Sequence, residues 1–324
     1  MANSGDWAFP VELRPQPSEW RFDLDAALES VVLLRAEIPE DAFTAQILGT
    51  ERAGYGVVIR EDGLVLTIGY LITEASALWI TTNQGDVAAG FPLAYDQATG
   101  LGLVQPLARL PAPAIERGSA GACQVGQNVV LAGHGGRAHA LKASVFAKRE
   151  FAGYWEYVLD EALFTAPAHP QWGGAALIGS DGRLLGIGSL LVQEKVDAAT
   201  LQGNMIVPID LLDPIYEDML VMGRPNRPAR PWLGMYTTEL NGHLVVAGLA
   251  GGGPAERAGI EVGDHVLEVN GKRVTGLAEL FRSIWKMGNA GVEVPLTLSR
   301  DGNGRRARVR SADRNDFLKK PHLH

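Results

Sequence analysis

Gly54-Tyr55-Gly56-Val57-Val58-Ile59-Arg60-Glu61-Asp62-Gly63-Leu64-Val65-Leu66-Thr67 reads as two short strands around a turn. Residues 57–59 form an apolar, β-branched run, Glu61-Asp62-Gly63 breaks it, and 64–66 starts the next. The same unit recurs along the chain. Residues 78–81 precede Gln84-Gly85, 129–132 precede Gly133, 157–159 form another run, and 175–178 precede Ser180-Asp181-Gly182. Short strands at this spacing predict a mainly β sandwich or barrel. Glycine supplies 39 of the 324 residues without a Gly-x-y period, which excludes collagen and disfavours long helices.

Helical signals are few. Residues 22–30 are expected to form a short helix before a strand over 31–38. Ile209, Leu212, Ile215, Tyr216 and Met219 follow a three-to-four spacing, so a helix is expected over 208–222, ended by Gly223. Residues 223–231 hold Pro225, Pro228 and Pro231 among Arg224, Arg227 and Arg230, a stiff linker and the natural domain boundary. Beyond it lies one small domain, with strands over 244–247, 265–269 and 294–299 and a helix over 277–287. The chain therefore divides into an arm (1–21), a first domain (22–222), the linker (223–231), a second domain (232–314) and a basic tail (315–324). The arm, with Pro10, Pro15 and Pro17 among Trp7, Phe9 and Trp20, reads as extended chain outside any core.

Net charge is −8, which argues against a general nucleic-acid binder. From Arg300 to the C-terminus the balance reverses to +5, the pattern of a solvated hairpin and tail. The single cysteine, Cys123, rules out an intrachain disulfide and reads as a small core residue. No run reaches 18 uninterrupted apolar residues, so no membrane span is expected. Met1-Ala2-Asn3-Ser4-Gly5-Asp6 lacks a basic and an apolar region, which reads as cytoplasmic as written, or periplasmic if a leader was removed. No cofactor or metal is called for. His134 and His139 lie in a glycine-rich loop at a spacing too weak to count as a metal pair.

Further stretches carry a resemblance. Trp172-Gly173-Gly174-Ala175-Ala176 is followed by Asp181-Gly182, and Gly203-Asn204-Met205-Ile206-Val207-Pro208-Ile209 leads toward the expected helix. Arg230-Pro231-Trp232-Leu233-Gly234-Met235, Gly253-Pro254-Ala255-Glu256-Arg257-Ala258-Gly259-Ile260 and Gly263-Asp264-His265-Val266-Leu267-Glu268-Val269-Asn270-Gly271 follow in the second domain. In this order, with residues 54–67, they resemble the HtrA/Deg family over roughly residues 25–310. The resemblance implies a trypsin-like double antiparallel β-barrel followed by a PDZ-like α+β domain, with a part in protein quality control.

The resemblance also fixes where the chemistry should be. A Ser-His-Asp protease needs a nucleophile, a base, an acid that orients the base, and backbone donors for the oxyanion. The family's histidine position falls on Tyr70, its acid on Gly100 and its serine on Trp172. The glycine whose N–H helps form the oxyanion hole falls on Pro170, which has no N–H. The expected function is a catalytically inactive, HtrA-like peptide- or protein-binding scaffold. The alternative is an active serine endopeptidase with rearranged residues, for which Asp96, His134, His139, His169 and Ser180 are the displaced candidates. Each has a plainer reading: a turn for Asp96 and Ser180, loop positions for the histidines.

The PDZ resemblance implies binding of peptide or protein C-termini by strand addition, with the carboxylate on backbone N–H groups. The expected binding residues are Leu233, Gly234, Met235 and Tyr236, with Leu277 and Phe281 facing the groove and Leu280 and Ile284 facing the core. The resemblance further implies a homotrimer assembled through Trp7, Phe9, Trp20 and Phe22.

Overall fold

The computed structural model describes residues 7–196 and 199–320. The reading of residues 1–6 as leaderless, and the last four residues of the basic tail, lie outside the described residues. The chain divides into two compact units, one of residues 1–149, 161–226 and 319–324, the other of residues 150–160 and 227–318.

The first unit is built on two closed, six-stranded antiparallel barrels. β1 (Val31–Glu37), β2 (Glu51–Val58), β3 (Val65–Ile68), β4 (Ala77–Thr81), β5 (Val87–Tyr95) and β6 (Leu101–Pro106) close in the order β1-β2-β3-β6-β5-β4. β7 (Asn128–Ala132), β8 (Ala140–Gly153), β9 (Tyr157–Ala166), β10 (Ala176–Ile178), β11 (Leu184–Val196) and β12 (Ala199–Pro208) close in the order β10-β11-β12-β9-β8-β7. Closure leaves no strand edge unpaired, and the inward residues fill the interior. Val57, Leu66, Leu103, Val130, Leu177 and Ile206 are all fully buried. The quoted stretch 54–67 is the β2–β3 hairpin, paired Gly56 to Thr67 and Val58 to Val65. The double barrel expected from the sequence is the fold observed.

The second unit is a sheet in the order β13 (Met235–Leu240), β14 (His243–Leu249), β15 (His265–Val269), β17 (Glu293–Arg300) and β18 (Asn303–Arg310), with β16 (Lys272–Arg273) paired to β15. The helix Leu277–Trp285 supplies Leu280, Phe281 and Ile284 to a core shared with Leu233, Met235, Val246, Leu296 and Val309. Asp264 is buried and held by a two-pronged pair with Arg300, at 2.7 and 2.9 Å. This pairing keeps the Asp264 carboxyl below its usual range.

Local differences from the sequence reading have physical causes. The helix expected over 208–222 is two 3₁₀ turns, Ile209–Leu211 and Asp213–Ile215, followed by a helix only over Tyr216–Met222. Pro214 has no N–H to continue a helix across that stretch. Gly223 ends it at φ +70°, as read. The expected first helix is confined to Leu24–Leu28, where the Asp23 carboxylate accepts from the Ala26 N–H at 3.0 Å. The arm is not wholly outside the core. Phe9 is buried, its N–H donates to the Ala138 carbonyl at 2.9 Å, and its ring packs edge-on against His169. The second unit also includes the tip of the β8–β9 hairpin, residues 150–160, which a division at 223–231 does not anticipate.

Candidate functional site

Within the first unit, the four positions singled out by the resemblance lie together. Tyr70 sits in the 3₁₀ turn Gly69–Leu71, directly after β3. Gly100 precedes β6 and its carbonyl accepts from the Gly69 N–H at 2.7 Å. Pro170 and Trp172 lie in the loop before β10, where the Gly173 carbonyl accepts from the Tyr55 N–H at 2.8 Å. The Tyr70 hydroxyl donates to the Ser189 carbonyl at 3.0 Å and takes a hydrogen bond from the Trp172 side chain. It stands 2.8 Å from where a Cβ on Gly173 would be. Burial raises the Tyr70 phenol above its ordinary value near 10, with the Trp172 bond pulling the other way, so the phenol is neutral at pH 7.

The loop that carries these groups is rigidly placed. Gly174 has φ +79°, and any Cβ there would lie 1.8 Å from the Tyr55 carbonyl oxygen. Its N–H donates to the Gly188 carbonyl at 2.8 Å. Only glycine suits both the backbone angle and the approach of β2.

His169 lies beside this loop, fully buried. Its backbone N–H donates to the Asn204 side-chain oxygen at 2.7 Å, and its Nδ1 accepts from the Gln171 N–H at 3.1 Å. With Nδ1 an acceptor, Nε2 carries the proton and donates to the His139 carbonyl at 3.0 Å. Burial lowers its pKa to about 4, so the ring is neutral and both nitrogens are used. Its faces meet Trp7, Phe9 and Tyr55. The Asp96 carboxylate accepts from the Thr99 N–H at 3.0 Å and serves the turn before β6. Ser180 lies in the turn before β11, and the His134 Nε2 bonds the Thr82 carbonyl at 3.0 Å. Each displaced candidate thus has a local structural partner or place.

In the second unit, Leu233, Gly234 and Met235 enter β13 with three successive N–H groups aimed at one point. Gly234 has φ +69°, which turns consecutive amides to the same side and forms an anion-binding nest. The group at that point is the carboxylate of Glu156, from the hairpin tip. Its Oε1 accepts from Leu233 at 3.1 Å, Gly234 at 2.7 Å and Met235 at 3.1 Å, and its Oε2 accepts from Leu233 at 3.1 Å. Glu156 is buried and adopts φ +61°, a strained angle for a residue with a side chain. Burial pushes its carboxyl up to about 7, opposed by the three N–H donors and by the positive charge of Arg314.

The expected groove residues are placed differently. Tyr236 lies on β13 with its ring edge-on to Tyr154 of the tip. Leu277 is partly buried against the unit's core. Phe281 is fully buried in that core beside Leu280, Ile284 and Val158 of the hairpin tip, so the residues expected at the groove are covered rather than open. The i, i+4 pair falls on a short helix whose apolar side is wide enough to bury three residues, and spacing alone cannot divide that side.

Glu156 was missed by the sequence reading. The available signal was a hairpin tip, Tyr154-Trp155-Glu156, with no Gly or Asn at a turn that requires a left-handed residue.

Comparison with known proteins agrees with both units. The trypsin-like peptidase domain family matches residues 54–187, and the PDZ domain family matches residues 231–310. The serine protease Do-like HtrA of Bacillus subtilis is 22% identical, aligning over 91% of this chain and 72% of its own length. The serine endoprotease DegS of Haemophilus influenzae is 24% identical over 73% of this chain and 70% of its own. A DegP-like probable periplasmic serine endoprotease of Halomonas elongata is 24% identical, and there the alignment spans 57% of the relative. Among solved structures, the serine endoprotease from Yersinia pestis superposes with a TM-score of 0.52 at 21% identity, covering 90% of this chain and 98% of that one. The HtrA-type protease AlgW with tripeptide gives a TM-score of 0.52 at 16% identity, covering 93% and 99%. A trypsin-like peptidase domain followed by a PDZ domain, together with the HtrA and Deg relatives it aligns with, places the chain in the HtrA/Deg family.

Proposed function

We propose that this chain is a catalytically inactive HtrA-like protein that acts by binding peptide or protein C-termini through its PDZ domain. The observation that supports inactivity best is the setting of Tyr70. Its hydroxyl is spent on the Ser189 carbonyl and the Trp172 side chain, in front of Gly173, where a family member would hold a base facing a serine. A neutral buried phenol is a poor base, an indole is not a serine-like nucleophile, and Gly100 brings no carboxylate. Pro170 removes one oxyanion donor, a loss worth about 2.7–4 kcal/mol of transition-state stabilisation where such donors are deleted.

The test is incubation with unfolded casein and with a serine-reactive fluorophosphonate. Neither cleavage nor labelling is expected. Labelling at any serine, lost when that serine becomes alanine, would establish the rearranged protease instead.

The binding half rests on the nest at Leu233–Met235, which presents backbone N–H groups as a terminal carboxylate requires. Ligands should end in an apolar residue with a free carboxylate, and amidation should remove most of the affinity by deleting charge-assisted bonds. A homotrimer is part of the proposal. Phe9 is buried on its own barrel, while Trp7, Trp20 and Phe22 are half-buried and able to contact a neighbour. Light scattering of the full chain against a chain starting at Asp23 tests it, and a monomer in both would reject it.

A further inference from the structure

The carboxylate in the nest belongs to the protein itself, and its surroundings match a docked ligand strand. Thr237 of β13 donates its N–H to the Tyr154 carbonyl at 3.0 Å. Met235 donates to Glu156, two residues further along the tip, while lying two residues earlier on β13. The two contacts run in opposite chain directions, a backbone carbonyl of Tyr154 on Thr237 and the side-chain carboxylate of Glu156 on Met235, the sense in which an added strand would lie on β13. Glu156 stands at the terminal position, with its side-chain carboxylate in the place of a C-terminal one.

Two more contacts hold the tip there. Val158 is buried in the same apolar core as Leu233, Met235, Phe281 and Ile284, with Ala152 packed against it. Arg282, on the helix Leu277–Trp285, pairs with both Glu150 and Asp160, one on each leg of the tip. Among the described residues, the Arg314 Nη1 is buried without a hydrogen-bond partner, and its charge acts on Glu156 and Tyr236.

We propose that Glu156 is an internal ligand of the PDZ domain, occupying the carboxylate nest so that an external C-terminus binds only when the hairpin tip leaves. The external ligand is a peptide whose terminal carboxylate replaces that of Glu156 and whose last, apolar side chain replaces Val158. This rests on the peptide-binding reading above for the identity of the competitor, but not for the occupancy itself. The strained φ of Glu156 is consistent with a group that is held in place and released as a unit. A site that is open in only 1–10% of molecules binds its ligand about tenfold to a hundredfold more weakly than the open site does.

The experiment uses the full chain, Glu156→Gly and Glu156→Gln. Glycine suits φ +61° and removes the carboxylate without adding strain, and glutamine keeps the shape but puts an NH2 group, which cannot accept, against the nest's N–H donors. The first readout is hydrogen–deuterium exchange at the amides of Leu233, Gly234 and Met235. These should exchange slowly in the wild-type chain and at least about tenfold faster in E156G, with acetate restoring part of the protection. The second readout is fluorescence anisotropy with a labelled hexapeptide ending in valine, as free acid and as amide. The free acid should bind E156G about tenfold to a hundredfold more tightly than wild type, with E156Q between them.

Equal exchange at these amides in wild type and E156G overturns the proposal, as does measurable peptide binding of equal affinity in both. Protection that is lost in E156G supports the internal ligand even if the peptide binds neither protein. That last result instead removes the reading that peptide C-termini are the competitor.

Discussion

In the barrel unit, Tyr70 and Trp172, the positions where the family resemblance expects a base and a nucleophile, hydrogen-bond each other and are woven into the packing. In the PDZ unit, a working anion nest is intact, and what fills it is the side chain of a hairpin tip. The first site is closed by its own composition. Tyr70 bonds the Ser189 carbonyl and Gly174 presses on the Tyr55 carbonyl, so no small motion exposes a different set of groups. The second is closed by an occupant that makes four hydrogen bonds yet sits at a strained backbone angle. The two sites thus differ in kind: one is filled by the residues that form it, the other by a side chain from a separate hairpin.

The contrast can be broken most severely at Gly174. Glycine to alanine there forces a Cβ into the Tyr55 carbonyl and into a left-handed backbone, and it should cost about 3 kcal/mol or more of stability. Chemical denaturation with tryptophan fluorescence reads this. A loss below about 1 kcal/mol would mean that the cleft is not rigid, and the first half of the comparison would fail.

The next test is the pH dependence of peptide binding. Glu156 has its carboxyl raised to about 7 when buried, and returns toward the ordinary value near 4.5 when the tip leaves. The closed form thus holds a proton that the open form releases. Closure is favoured fully below about 4.5 and loses that advantage as pH rises through about 7. Arg314, Tyr154 and Tyr236 are the charged and titratable groups that act on this region, and burial raises the Tyr236 phenol further. The peptide carboxylate is ionised throughout. Affinity for the wild-type chain should therefore rise by roughly fiftyfold from pH 5 to pH 8, and E156Q should show a flat profile. A parallel rise in E156Q would assign the dependence to other groups, such as His243 and His265.

The smallest expected effect is a null one. Trp172→Ser alone should leave casein uncleaved, because the proposed inactive reading has Tyr70, Gly100 and Pro170 still in place of base, acid and one oxyanion donor, and such groups act as a unit. Measurable turnover by this single variant would show that the cleft retains more machinery than Tyr70, Gly100 and Pro170 suggest.

Much of the architecture was legible because it is written in local pattern. The β2–β3 hairpin and the strand runs ending in Gly-rich turns follow from period and punctuation. The helix expected over 208–222 failed because an apolar spacing survives in a chain of 3₁₀ turns, and Pro214 was the warning. Phe281 was expected to face the groove, and spacing could not show that the hairpin-tip residue Val158 shares its apolar cluster. Phe9 looked like an arm residue because its partners, Ala138 and His169, are distant in sequence. Glu156 was invisible for the same reason. One glutamate in a hairpin tip carries no sign that three amides some 77 residues onward are aimed at it. The nest itself was legible, from Trp232-Leu233-Gly234-Met235, while its occupant was a matter of tertiary placement.

The account turns most directly on the amides of Leu233, Gly234 and Met235 in the intact protein. Residue-resolved hydrogen exchange, wild type against Glu156→Gly, reads whether the carboxylate is there. Strong protection in the wild type, lost in the variant and partly restored by acetate, is the predicted result. Indistinguishable exchange in the two chains would contradict it, and the PDZ domain would then be an open site with no ligand of its own.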